Sequence, residues 1–185
     1  INSKKKPVSP YGRSKLISYQ ITKKYREKYN LNAYNGIIFN TESYLRPKNF
    51  LIPKICMSAI ASFKNKRKIN YFGNLKILRE WNWCEEQVVL VWKFLQKKPQ
   101  DFLLSNGMYF SVTEMLFFAF NYFNLDYKKF VKTSEIFTRS KDVNSVKSNL
   151  KNQFKKNKIK INYKIYGKKL IERLINFYLK NQNLK

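Results

Sequence analysis

The sequence predicts an α/β fold with a mostly parallel sheet. Short apolar runs of strand length alternate with stretches of helical spacing, and glycine and proline are sparse at five each. No internal repeat or low-complexity linker interrupts that alternation. With 44% hydrophobic and 17% aromatic residues, the chain has ample material for a core.

Taken in order, the first element is a helix from Pro10 or Tyr11 to about Tyr29. Ile17, Ile21 and Tyr25 recur on one face, and proline stands at the start, where its missing N–H costs nothing. Residues 33–39 form an apolar run with paired isoleucines, short enough for a buried strand. Residues 41–49 read as a loop carrying Arg46 and Pro47. Helical spacing returns over about residues 50–63 through Ile52, Ile55, Ala59 and Ile60. A short strand at residues 69–72 ends at Gly73-Asn74, a turn signal. A helix over residues 84–96 follows, then a strand at residues 102–104 ending at Asn106-Gly107. Ser111 and Glu114 have capping-box spacing ahead of an apolar helix running to Phe123. Residues 141–160 are polar and lysine-rich, and an amphipathic helix over residues 168–179 closes the pattern.

Composition removes several functions. The 185 residues carry 38 Lys+Arg against 11 Asp+Glu, a formal charge of +27, which ordinarily points to nucleic acid. Here the lysines are scattered along the chain and accompany abundant Asn, Ile, Phe and Tyr, which share A/T-rich codons, so base composition accounts for the charge and nucleic acid is the weaker expectation. The same bias makes each arginine informative, as a position where a planar two-pronged donor has been kept. There is no histidine, and Cys56 and Cys84 stand alone, which excludes the usual zinc sites and histidine-based catalysis. Two isolated cysteines and the lack of an apolar run of membrane length favour a cytoplasmic protein with no membrane partner. No initiator Met is present, so the chain is expected to begin inside a longer one. No glycine-rich loop that could cradle a dinucleotide or a triphosphate occurs in it.

The strongest local signal is Ser9-Pro10-Tyr11-Gly12-Arg13-Ser14-Lys15. Tyr11 and Lys15 lie one helical turn apart, so their side chains share a face, and an ammonium beside a phenol favours the ionised form needed for proton transfer. Tyr-x-x-x-Lys alone is weak, since Tyr19 and Lys23 repeat it. The alternative is a pair of exposed residues on a surface helix.

Context adds specificity. The Ser-Pro-Tyr-x-x-x-Lys segment resembles the active site of the extended short-chain dehydrogenase/reductases, and further segments are similar to the GDP-mannose 4,6-dehydratase family. Residues 35–43, Asn-Gly-Ile-Ile-Phe-Asn-Thr-Glu-Ser, resemble that family's Asn-Gly-Ile-Leu-Phe-Asn-His-Glu-Ser. Tyr71-Phe72-Gly73-Asn74-Leu75 and then Leu78-Arg79-Glu80-Trp81 are similar to its Leu-Gly-Asn-Leu-Asp-x-x-Arg-Asp-Trp. Residues 139–143 resemble a worn Arg-Pro-x-Glu-Val. The resemblance runs from about residue 6 to about residue 179.

It implies the C-terminal part of an NAD(P)-binding Rossmann-like fold together with a smaller substrate domain. Residues 1–49 would complete the Rossmann-like domain, and residues 50–185 would mainly bind the nucleotide sugar, with some segments returning to the core. The implied reaction is NADP-dependent dehydration of GDP-mannose to GDP-4-keto-6-deoxymannose. By the same resemblance, Tyr11 takes the proton of the sugar 4-hydroxyl, and Lys15 assists it and bonds the nicotinamide ribose. Thr41 and Arg46 would contact NADP, with Arg46 on the side of its 2′-phosphate. Asn40 would contact substrate, and Arg79 and Arg139 would grip its diphosphate. This reading requires the Tyr11 hydroxyl to face a cleft shared with Arg79 and Arg139. Asn40 as a strand-end cap and Arg79 as a surface ion pair are the duller alternatives. Trp81, Trp83 and Trp92 read as core or domain-junction packing, and Glu85 and Glu86 as a solvated helix start.

The chain departs from the family's Asn-His-Glu-Ser-Pro-Arg-Arg-Gly at residues 40–47, Asn-Thr-Glu-Ser-Tyr-Leu-Arg-Pro. Pro47 fixes φ where glycine had freedom, so the loop is expected to take another path. The family's glycine-rich NADP loop and its Ser/Thr and Glu base precede the Tyr and are not in this sequence. The isolated chain is therefore expected to be inactive, and the full-length protein to be a homo-oligomer. Rival readings are an NDP-sugar epimerase or reductase of the same superfamily, a basic nucleic-acid-binding domain, and an inactive remnant.

Overall fold

Strand pairings between segments far apart in sequence organise the chain. The computed structural model describes residues 5–66, 68–137, 147, 148 and 150–181. Strands β1 (Asn35–Ile38) and β5 (Asp101–Leu104) pair in parallel, Asn35 opposite Asp101 and Ile38 opposite Leu104. Strand β2 (Asn40–Glu42) runs parallel to β4 (Leu78–Trp83), which takes β6 (Tyr109–Ser111) antiparallel on its other edge. Strands β3 (Asn70–Phe72) and β7 (Val131–Thr133) form a further parallel pair. Parallel neighbours need long crossovers. Helices α2 (Leu51–Lys64), α3 (Cys84–Leu95) and α4 (Val112–Asn121) lie within them. Helices α1 (Pro10–Tyr29), α5 (Lys151–Asn157) and α6 (Gly167–Lys180) complete the α/β arrangement, with parallel pairing dominant as predicted.

Two apolar clusters hold these elements. In the larger, α2, α4 and α6 pack through Ile52, Ile55, Met115, Leu116, Leu170 and Leu174, all fully buried, against Trp81 and Trp83 of β4. Burial of each such side chain contributes about 1.5–3 kcal/mol, which makes this three-helix face the main source of stability. The smaller cluster joins Leu90 and Phe94 of α3 to Phe102 and Leu104 of β5, with Phe94 and Phe102 stacked 4.4 Å apart. Ile159, in the lysine-rich stretch, closes that cluster.

Helix α1 is built differently. Ser9 caps it by accepting from the Gly12 N–H at 3.0 Å, Pro10 opens it, and Asn30 ends it in the left-handed conformation, yet none of its residues is buried. Its tether is polar. Asp101 accepts from the Tyr19 hydroxyl at 2.5 Å, from Arg26 Nη2 at 2.9 Å and from Asn35 Nδ2 at 3.0 Å. Burial works to raise the Asp101 carboxyl, and these hydrogen bonds outweigh it and hold it below the ordinary aspartate range. The same bond pushes the Tyr19 phenol up to about 12. Asp101→Asn is therefore expected to strip hydrogen-exchange protection from the amides of α1 while those of α2, α4 and α6 keep theirs. Equal loss everywhere would mean that α1 is not a separately tethered unit.

The predicted helices and strands at residues 10–29, 33–39, 50–63, 69–72, 84–96, 102–104, 111–123 and 168–179 all have counterparts, and the Ser111–Glu114 capping box forms with both of its reciprocal hydrogen bonds. Strands β4, β6 and β7 were not expected from the pattern, and β2 occupies the start of the predicted loop. Trp81 and Trp83 are buried in the core, whereas Trp92 is 64% exposed on α3, so of the two readings, core or domain-junction packing, the core does not hold for it. Glu86 is not simply solvated, because its Oε1 accepts from the backbone N–H groups of Lys164 and Ile165.

Candidate functional site

The loop after β2 is fixed from a distance. Tyr44 stands where the resemblance expected proline, and its ring packs against Trp83 at 4.9 Å and stacks on Phe177 of α6 at 4.4 Å. Its hydroxyl accepts from Arg173 Nε at 2.6 Å. Two tight turns follow, closed by Arg46 N–H to the Ser43 carbonyl at 3.2 Å and Phe50 N–H to the Pro47 carbonyl at 3.1 Å. With Tyr44 held inward and Pro47 stiffening the second turn, Arg46 folds back and its guanidinium lies 3.7 Å from the centre of the Phe50 ring.

Arg46 thereby enters a cavity of about 580 Å³ whose walls also carry Asn40, Glu42, Lys54, Arg79 and Trp81. Asn40 and Asn82 brace the junction of β2 and β4: Asn40 Nδ2 donates to the Glu80 carbonyl at 3.1 Å, and Asn82 Nδ2 donates to the Asn40 carbonyl at 3.0 Å. Arg79 Nη1 donates to the Leu78 carbonyl at 2.8 Å. Beneath it, the buried Glu80 carboxylate accepts from the Ser105 hydroxyl and the Asn106 N–H, each at 2.6 Å, bonds that work against the rise burial imposes on its pKa. Helix α2 opens onto the same cavity with no side-chain cap on its first N–H groups, so the positive end of its dipole faces the space.

Glu42 is 2% exposed, and burial pushes its carboxyl up to about 7 despite the opposing pull of Arg46. Its Oε2 lies 3.8 Å from Arg46 Nε, beyond hydrogen-bond range, and neither atom has a hydrogen-bond partner. Lys54 donates to the Tyr71 carbonyl at 2.8 Å, sits 3.9 Å from the Phe137 ring centre, and burial lowers its pKa. A neutral or cationic guest gains little among three cations, and an anion gains from all of them.

The expected site residues fall into separate groups. Asn40, Arg46 and Arg79 share the cavity. Tyr11 and Lys15 meet each other, Lys15 Nζ lying 5.4 Å from the Tyr11 ring centre, but Tyr11 is 72% exposed and neither residue lines the cavity. The requirement that Tyr11 share a cleft with Arg79 is thus not met within the described residues, because α1 is tied to Asp101 at the other cluster. Thr41 is also off the cavity, its hydroxyl donating to the Phe39 carbonyl at 3.1 Å. Arg139 lies outside the described residues. Lys54 was missed, and in a chain so rich in lysine nothing set it apart. Among the described residues no group of His, Cys, Asp and Glu could hold a metal ion, and no helix is long and apolar enough to cross a membrane.

GDP-mannose 4,6-dehydratase from Sinorhizobium fredii is 40% identical over 115 residues, 62% of this chain and 33% of its own length. The chain therefore spans about a third of that relative. Among solved structures, dTDP-glucose 4,6-dehydratase from Bacillus anthracis, in complex with NAD, superimposes with a TM-score of 0.82 at 17% identity over 97% of this chain and 55% of its own. The protein RMD from Pseudomonas aeruginosa, complexed with NADPH, follows with a TM-score of 0.77 at 13% identity, over 95% of this chain and 57% of its own. At those identities the likeness speaks for the fold alone, part of a Rossmann-like α/β fold. The family described as GDP-mannose 4,6 dehydratase matches residues 2–174. That match takes in both the Tyr11 helix and the cavity-bearing strands, and the chain belongs to the GDP-mannose 4,6-dehydratase family.

Proposed function

We propose that this chain supplies the nucleotide-sugar site of an NADP-dependent enzyme that dehydrates GDP-mannose to GDP-4-keto-6-deoxymannose. The observation that carries this reading is the cavity in which Asn40, Lys54 and Arg79 converge beside Trp81, in a chain of that family. Arg79 and Lys54 would bind the diphosphate, the first through its planar fork and the second as a point charge, with Arg139 as a further ligand. Asn40 would face the sugar. The division into a Rossmann-like part, residues 1–49, and a mainly substrate-binding part, residues 50–185, belongs to the same proposal, as do a homo-oligomeric whole protein and a cytoplasmic setting.

Tyr11 would take the proton of the sugar 4-hydroxyl, with Lys15 holding it in place, only where further polypeptide brings the sugar from the cavity to Tyr11, because Tyr11 does not itself line the cavity. NADP, when bound, supplies the hydride acceptor for that step. This chain's own residues leave the cofactor cradle incomplete: Thr41 spends its hydroxyl on the Phe39 carbonyl, Arg46 turns into the cavity, and no glycine-rich loop occurs in the sequence. Catalysis then requires polypeptide of the kind that fills the rest of the relatives' length.

Calorimetry on the 185-residue chain tests the proposal. GDP and GDP-mannose are expected to bind weakly, NADP hardly at all, and no turnover is expected. Tyr11→Phe is expected to leave GDP affinity unchanged, because Tyr11 is not among the cavity walls. Tight NADP binding by this chain, or failure to bind GDP, would contradict the proposal, and preference for a UDP-sugar would favour the epimerase alternative.

A further inference from the structure

The resemblance assigns Arg46 to the cofactor, yet its surroundings point elsewhere. Its guanidinium lies on the Phe50 ring, its Nε is turned toward Glu42, and both neighbours line the cavity that also holds Lys54 and Arg79. A guanidinium resting on an aromatic face keeps its N–H donors in its own plane, clear of the ring. Here that plane has one edge toward a carboxylate too distant for a hydrogen bond, so the guanidinium is held in orientation without its donors being consumed. Next to it stand the uncapped N–H groups of α2, where Leu51 and Ile52 keep theirs and Pro53 has none, and then Lys54 one turn on.

Resting on the nucleotide-sugar reading of the cavity, we propose that Arg46 is a ligand of the substrate's diphosphate in this chain, with Phe50 as its platform and Glu42 as the positioning residue that orients it. The departures at residues 44, 45 and 47 produce this. Tyr44 stands in place of proline and anchors the loop on Trp83 and Phe177, Leu45 is left 91% exposed, and Pro47 stiffens the turn that brings Arg46 to Phe50. The single arginine kept in the loop thus serves the sugar nucleotide, and the cavity presents Arg46, Lys54 and Arg79 to one pyrophosphate.

The test is calorimetric titration of the 185-residue chain with GDP and with guanosine, which lacks the phosphates. Arg46→Ala is expected to weaken GDP binding roughly 10–100-fold and to leave guanosine binding unchanged, the loss of one charge-assisted, two-pronged contact. Arg46→Lys keeps the charge that balances Glu42 but loses the planar fork and the stacking, so it is expected to recover only part of the affinity. Phe50→Ala is expected to fall between Arg46→Lys and wild type. GDP affinity unchanged in Arg46→Ala would overturn the assignment and leave the cavity reading intact. Failure of the wild-type chain to bind GDP would instead remove the reading on which the assignment rests.

Discussion

At about pH 8 the Glu42→Gln protein is expected to unfold at a higher temperature than the wild type, and the gap is expected to close as the pH is lowered toward about 5. Burial raises the Glu42 carboxyl from the ordinary 4.5 to about 7, with Arg46 pulling the other way. Between those values the folded protein holds a proton that the unfolded chain has released, so stability falls as the pH rises through this window. Above it the penalty is complete. The interval corresponds to about 3 kcal/mol, with the attraction of Arg46 already included. In a protein of this size that is roughly 6–12 °C in melting temperature.

Glutamine has the shape of the protonated acid, so the two proteins should converge at low pH, where the wild type is neutral at this position too. The other groups in the field of Glu42 do not interfere. Cys56 of α2 and Tyr178 of α6 are both pushed upward, chiefly by burial, and titrate above the window. The Arg46 side chain is a third exposed, so losing the Glu42 charge leaves it in contact with solvent. A melting-temperature difference independent of pH would show that Glu42 is not the group responsible.

Most of the helices were legible because their apolar spacing is the means by which they pack. Ile52, Ile55 and Ala59 of α2 meet Leu170, Ile171 and Leu174 of α6 in one cluster, and the local pattern records that contact directly. Strand β4 left no such record. Glu80, Trp81, Asn82 and Trp83 are buried in succession, so the alternation that marks a half-exposed strand is absent, and two of the four are polar residues that make tertiary hydrogen bonds. Strands β6 and β7, three residues each, are too short to carry a period.

The candidate site was legible in part, through motif resemblance and not through periodicity. Arg79 and Asn40 sit within the motif segments, and the pairing that brings those segments together, Asn40 opposite Trp81, joins residues far apart in sequence. Arg46 owes its position to Tyr44 docking on Phe177 and Arg173 at the far end of the chain, a contact no nearby spacing encodes. An exposed Tyr11 on a surface helix was one of the two readings the sequence left open; what it did not record is the tether. The helix is held through Asp101, and nothing near Tyr11 in sequence announces that contact.

The start of α6 is the place where a single methyl group is expected to do most damage. Gly167 has φ +51°, and a Cβ added there would stand 2.5 Å from Cζ and 2.9 Å from Cε1 of Phe110. The ring has little room to retreat, flanked by Phe118 at 5.9 Å and Tyr166 at 6.5 Å. Gly167→Ala therefore combines a left-handed backbone unsuited to an L side chain with overpacking, a cost of about 2–4 kcal/mol. Gly107→Ala is the control, because Gly107 also has positive φ, +76°, but its added Cβ would meet only Leu150 Cδ1 at 3.4 Å. That variant is expected to lose only the backbone contribution, about 1 kcal/mol. Urea denaturation of the two variants separates the contributions, and equal losses would mean that Phe110 yields freely. If the ring does resist, the effect travels further than α6. Phe110 pairs with Arg79 across β6 and β4, so displacing it shifts the strand that presents Arg79 to the cavity. Gly167→Ala protein that remains folded is then expected to bind GDP more weakly than Gly107→Ala, although Gly167 itself touches no wall of the site.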